Sequence, residues 1–163
     1  MAGRGLDGHP RPRRLFEGRL FWRWGKGAAT AKGDFGIPTE TTGYELCIYD
    51  GTDTLLLGAR APKRDTCRIN ELRDCWQENA KGFRYVDRDL TADGLRQTSR
   101  AAGPTGKAQI VVKGRGNNLQ APLLSVMNLP VRVQLMNGGG ACWEATLRAT
   151  FQNTATSFKA KSD

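Results

Sequence analysis

Apolar and polar residues alternate with a period of two along most of the chain, and no segment sustains the spacing of an amphipathic helix. The alternation predicts strands at Leu20–Trp24, Tyr44–Asp50, Thr54–Arg60, Trp76–Glu78 and Gly82–Asp87. A weaker strand is predicted at Leu95–Ala101, and strong ones at Lys107–Gly114, Val131–Asn137 and Cys142–Ala149. Gly51-Thr52-Asp53 reads as a hairpin turn, and Gly138–Ala141 turns the chain directly into the last strand. Leu90–Leu95 is compatible with one helical turn capped at Thr91 or with a plain turn. Asn153–Asp163 is polar and reads as a fraying tail. Eight or nine short strands between closely spaced turns predict an all-β antiparallel sandwich rather than a barrel, over a domain of residues 20–163.

The sum of 163 residues fits one such domain with a short arm, and twenty glycines with seven prolines fit its many turns. No apolar run approaches the ~18 residues of a membrane helix, so membrane insertion is not expected. The net charge of +9 is unevenly placed: residues 1–32 carry +6 and residues 33–163 only +3. Residues 1–19 therefore read as a basic, disordered arm, with glycines and with prolines on both sides of Arg11 that forbid a helical charge face. Arg4, Arg11, Arg13, Arg14, Arg19 and Arg23 are the candidate contacts for a polyanion, through counterion release. Specific nucleic-acid recognition is not expected, because no helix-turn-helix, zinc-knuckle or RNA-binding signature accompanies the charge. Glu17, Arg19 and Arg23 interrupt the apolar residues that follow the basic start, which reads as a strand and not as an export signal.

Cys47, Cys67, Cys75 and Cys142 are separated by 19, 7 and 66 residues, which match no zinc pattern and no Cys-x-x-Cys redox pair. Disulfides are the better reading. Four cysteines allow three pairings, and strand phase favours one of them. Cys47 sits out of phase with Leu46 and Ile48, and Cys142 out of phase with Trp143, Ala145 and Leu147. A Cys47–Cys142 bridge between neighbouring strands is therefore expected, with Cys67–Cys75 closing the intervening loop.

Candidate chemistry is sparse. The single histidine, His9, lies in the arm, which leaves no base for a nucleophilic triad. Glu45, Glu78 and Glu144 are the carboxylates available for glycosidase chemistry, but Glu45 and Glu144 fall on outer strand faces. Asp50 and Asp53 supply too few ligands for calcium, and Gly103–Lys107 misses the phosphate-loop spacing. No enzyme activity, metal or cofactor is expected. Trp143 and at least one of Trp22 and Trp24 read as core anchors; Tyr49 and Trp76 are the candidate exposed rings for stacking on a sugar.

Tyr44–Asp50, Asp89–Leu95, Gly106–Gly114, Val133-Gln134-Leu135 and Cys142–Ala145 together resemble an uncharacterised cysteine-containing β-rich module of predicted secreted bacterial proteins. The resemblance spans roughly residues 20–163 and is carried chiefly by the cysteine framework with its Cys-Trp pairs. It implies an extracellular or cell-envelope location, a segment of a larger protein, and no known ligand. The expectation is a non-catalytic structural or adhesive module, monomeric in isolation, with a protein or polysaccharide partner. Polyanion or nucleic-acid binding through the arm and carbohydrate binding through Tyr49 and Trp76 are the alternatives.

Overall fold

The computed structural model describes residues 18–67, 73–121, 124 and 127–162. Its strands are β1 (Gly18–Gly25), β2 (Tyr44–Tyr49), β3 (Leu55–Ala61), β4 (Thr66–Cys67), β5 (Arg73–Asp74), β6 (Trp76–Asn79) and β7 (Gly82–Val86). They continue with β8 (Leu95–Ala101), β9 (Gln109–Gly116), β10 (Val131–Asn137), β11 (Cys142–Leu147), β12 (Ala149–Asn153) and β13 (Phe158–Lys161). A five-stranded sheet runs β1-β9-β8-β7-β6 and a four-stranded sheet runs β11-β10-β2-β3, so nine strands build the two layers. Every named pair is antiparallel, as the alternation predicts. Two short hairpins, β4-β5 and β12-β13, stand outside the layers. The second of these corrects the expected fraying tail: Phe158–Lys161 pairs with Ala149–Asn153.

Inward positions of both sheets form one core. Trp22, Trp24, Phe83, Tyr85, Ile110 and Val112 from the five-stranded sheet meet Tyr44, Leu46, Leu57, Val133, Leu135 and Trp143 from the other. Phe35, in a 3-10 turn (Lys32–Phe35), is fully buried with its ring 5.3 Å from that of Trp143. The Tyr44 hydroxyl donates to the Phe35 carbonyl, and Trp24 Nε1 donates across the layers to the Glu144 carbonyl. Burying these side chains favours folding by about 25 cal/mol per Å² of apolar surface.

The segment before β8 is a plain turn. Leu90, Asp93 and Gly94 all have positive φ, which excludes a helical turn. Gly94 is required there: a Cβ would lie 2.4 Å from the Leu119 backbone nitrogen. The turn is organised by Asp87, fully buried, whose two carboxylate oxygens accept from the amides of Asp89, Leu90 and Thr91 and from the Thr91 hydroxyl.

Cys67 and Cys75 form a disulfide, with Cα atoms 5.0 Å apart across the β4-β5 hairpin. Cys47 and Cys142 do not; both are free thiols, the first buried and the second exposed. The expected bridge fails because β10 lies between β2 and β11. Two strand spacings amount to ~10 Å, beyond the roughly 7 Å over which Cα atoms can be bridged. The two are also staggered: Gln134 stands opposite Cys47 and Met136 opposite Cys142. Peptide mapping without reduction should show the single Cys67–Cys75 link and two alkylatable thiols. Reducing that link should lower stability by about 2–3 kcal/mol, as expected for a short closed loop, read from urea curves with and without reductant.

Candidate functional site

The sequence-selected residues are not brought to one place. Arg4, Arg11, Arg13 and Arg14 lie outside the described residues, as do residues 1–17 of the arm expected over residues 1–19. Arg19 belongs not to an arm but to β1. Trp76, expected to be exposed, is 3% exposed and packs between the layers with its ring 5.7 Å from Tyr44 and 5.0 Å from Tyr85. Its phase was hidden by the four-residue length of β6, too short for an alternation to register. Tyr49 is half-buried on the outer face of the four-stranded sheet, with the Arg132 guanidinium 4.8 Å above its ring.

That outer face is electrically balanced. Arg132 pairs with Asp53 at 3.0 Å, Arg60 with Asp93 at 3.2 Å, and Gln134 donates to Glu144. Asp50 accepts from the Thr52 hydroxyl and from the amides of Thr52 and Thr54; these bonds, the hydroxyl's first, hold its carboxyl below the usual range. Both carboxylates of the Asp50–Asp53 turn are thus engaged by the fold. Burial pushes the thiols of Cys47 and Cys142 up, so both are protonated at neutral pH and poor nucleophiles. Glu45 and Glu144 are exposed on this face, while Glu78 pairs with Lys32 at 2.6 Å in the other sheet.

Two further groups belong to the fold. Among the described residues, Asp65, Cys67 and Cys75 are the one cluster with metal-donor atoms close together, and the disulfide occupies both sulfurs. Asp65 accepts from the Tyr85 hydroxyl at 2.7 Å; burial first, then that bond, raises the phenol. Arg100, 2% exposed, lies with its guanidinium carbon 3.5 Å from the Tyr44 ring centre and 4.8 Å from that of Trp76. One of its nitrogens donates to the Thr98 hydroxyl, while Nε and Nη2 have no protein partner. Desolvation pushes its pKa down to about 10, which still leaves it charged at neutral pH.

The outer face of the five-stranded sheet is different. Along β1, Leu20, Trp22 and Trp24 face inward, so Arg19, Phe21 and Arg23 face out. Along β9, Ile110 and Val112 are buried, leaving Gln109, Val111, Lys113 and Arg115 outside. Register aligns these positions: Arg19 is opposite Arg115, Phe21 opposite Lys113, and Arg23 opposite Val111. The rows continue through Ser99 and Gln97 of β8 to Arg84 and Val86 of β7, and from Arg84 to Gln77 of β6. Arg19, Arg23, Arg84, Lys113 and Arg115 are all exposed, and none has an ion pair with a described residue. No outward position of these five strands is acidic. The result is a basic patch about 14 Å across in each direction, counted from strand spacing and rise. At its edge stands Phe21, 67% exposed, with the Lys113 ammonium 6.0 Å from the ring centre.

Sequence reading places Arg19 and Arg23 among the candidates but misses Phe21, Arg84, Lys113 and Arg115. The signal was present for the first: a strand that buries Trp22 and Trp24 must expose Phe21. No helix among the described residues is long and apolar enough to cross a membrane. Comparison with protein-family models, curated proteins and solved structures returns no match.

Proposed function

We propose that the protein is a non-catalytic binding module that takes linear polyanions on the outer face of its five-stranded sheet, outside the cytoplasm. The observation that carries this is the convergence of Arg19, Arg23, Arg84, Lys113 and Arg115 on one sheet face with no acid at its outward positions. Unpaired cations aligned this way raise the local potential by several kT and release counterions when a polyanion docks. The Cys67–Cys75 disulfide supports an oxidising compartment, as does the resemblance to a module of predicted secreted proteins.

Titration with inorganic polyphosphate tests this reading. Three to five charge contacts predict that the affinity falls about a hundredfold between 50 and 200 mM salt. The double charge reversal Arg23→Glu with Lys113→Glu should weaken binding by about as much, since both residues are exposed and fold-neutral. Replacing Arg11, Arg13 and Arg14 together by serine should cost far less. The reverse ranking would move the site to the arm, and salt-independent or undetectable binding at 50 mM would remove the reading altogether.

A further inference from the structure

Resting on the reading of this face as a polyanion surface, we infer that its ligand is an acidic polysaccharide, a uronate- or sulfate-bearing polymer, with one sugar ring stacked on Phe21. A bare charge-binding face has no use for Phe21. Its ring is among the most exposed large apolar groups of the described residues, set two positions from Arg19 and two from Arg23 on the same strand face and opposite Lys113. A ligand that satisfies ring and cations together offers a flat apolar surface and an anionic group within one repeat. Sugar rings with carboxylates or sulfates do so.

The rest of the face favours sugars over unpaired nucleotides. Proteins that hold single strands stack successive bases on several aromatic rings along a groove. Here Phe21 is the one aromatic residue at the outward positions of all five strands, and the face is open. Between the cations lie Gln97 and Ser99, with Gln77 and Gln109 at the margins of the patch. Amide and hydroxyl side chains both donate and accept, which suits rows of sugar hydroxyls of either polarity. The disulfide adds the compartment in which such polymers are met.

The test uses the full chain with four probes of matched charge: polygalacturonate, heparin, polyglutamate and oligothymidylate, each titrated at 50 and 150 mM salt. At least one of the two glycans should bind tenfold or more tightly than polyglutamate. Phe21→Ala should remove that margin without changing polyglutamate binding, and Phe21→Trp should keep or widen it. Because Phe21 is a surface residue, circular dichroism and the polyglutamate affinity should report an intact fold and an intact basic face. Equal binding of glycans and polyglutamate, or a margin that survives Phe21→Ala, would overturn the inference and leave the general polyanion face standing. Tighter, Phe21-dependent binding of oligothymidylate would overturn it in favour of nucleic acid. Failure of all four probes would overturn both readings.

Discussion

Replacing Trp76 by alanine is expected to lower stability by about 3–5 kcal/mol, measured as a shift in the urea midpoint at constant slope. Size alone places the change at the upper end for a core truncation, and three kinds of contact hold it there. The indole packs at a tilt against Tyr44 and Tyr85, and its Nε1 donates to the Pro62 carbonyl at 2.7 Å, which would be left without that donor. The third contact is with Arg100. Its folded-state pKa lies below its unfolded value, so the unfolded chain holds the extra proton from about pH 10 up into the ordinary guanidinium range. Stability therefore rises with pH across that window. Below it the buried charge costs the fold about 3 kcal/mol, order of magnitude. Two aromatic rings offset this by cation–π attraction, and the alanine variant removes one of them. Trp76→Phe keeps a ring beside the guanidinium and should cost only about 1–2 kcal/mol, mainly the lost indole bond.

Asp87→Ala should cost about 2–4 kcal/mol. The carboxylate holds four donors between 2.8 and 3.0 Å: three consecutive amides and one hydroxyl. Charge-assisted bonds of this kind are worth more than neutral ones, and their loss leaves partly buried donors unpaired. Asp87→Asn keeps one acceptor oxygen and should fall between wild type and alanine. The loss should be local as well as global. Hydrogen exchange at Leu90 and Thr91 should accelerate well beyond the change at Ile110 or Val112 in the sheet. Protection at Leu90 and Thr91 that is unchanged would show that the turn is held by Gly94 and by the Asn118 bond to the Leu90 carbonyl instead.

The all-β class and most strand positions were legible because the signal is local: a period of two, broken by glycine and aspartate turns. The Cys67–Cys75 link was legible for the same reason, since the two cysteines stand only eight positions apart in the chain. Neighbour relations between strands are not local. Nothing in Cys47 or Cys142 says that β10 is inserted between their strands, and that insertion decides the pairing. The candidate face failed to appear for the same physical reason. Arg19 and Arg115 are almost a hundred positions apart, and only the β1–β9 register sets them side by side. Charge counted along the chain placed the excess in the arm, whereas the sheet gathers basic residues from β1, β7 and β9 and leaves the acids to other surfaces.

Strand β1 also fixes an order of events during synthesis. In its sheet, β6 to β9 succeed one another in the chain, so each finds its partner within a few residues of leaving the ribosome. Strand β1 leaves first and pairs only with β9, ninety-odd residues later. At ~5–20 residues per second that is a wait of roughly 5–20 s with Trp22 and Trp24 uncovered. A nascent chain in this interval offers a bare, tryptophan-bearing strand with unpaired amides, the kind of segment that chaperones shelter and that pairs wrongly with its neighbours on a polysome.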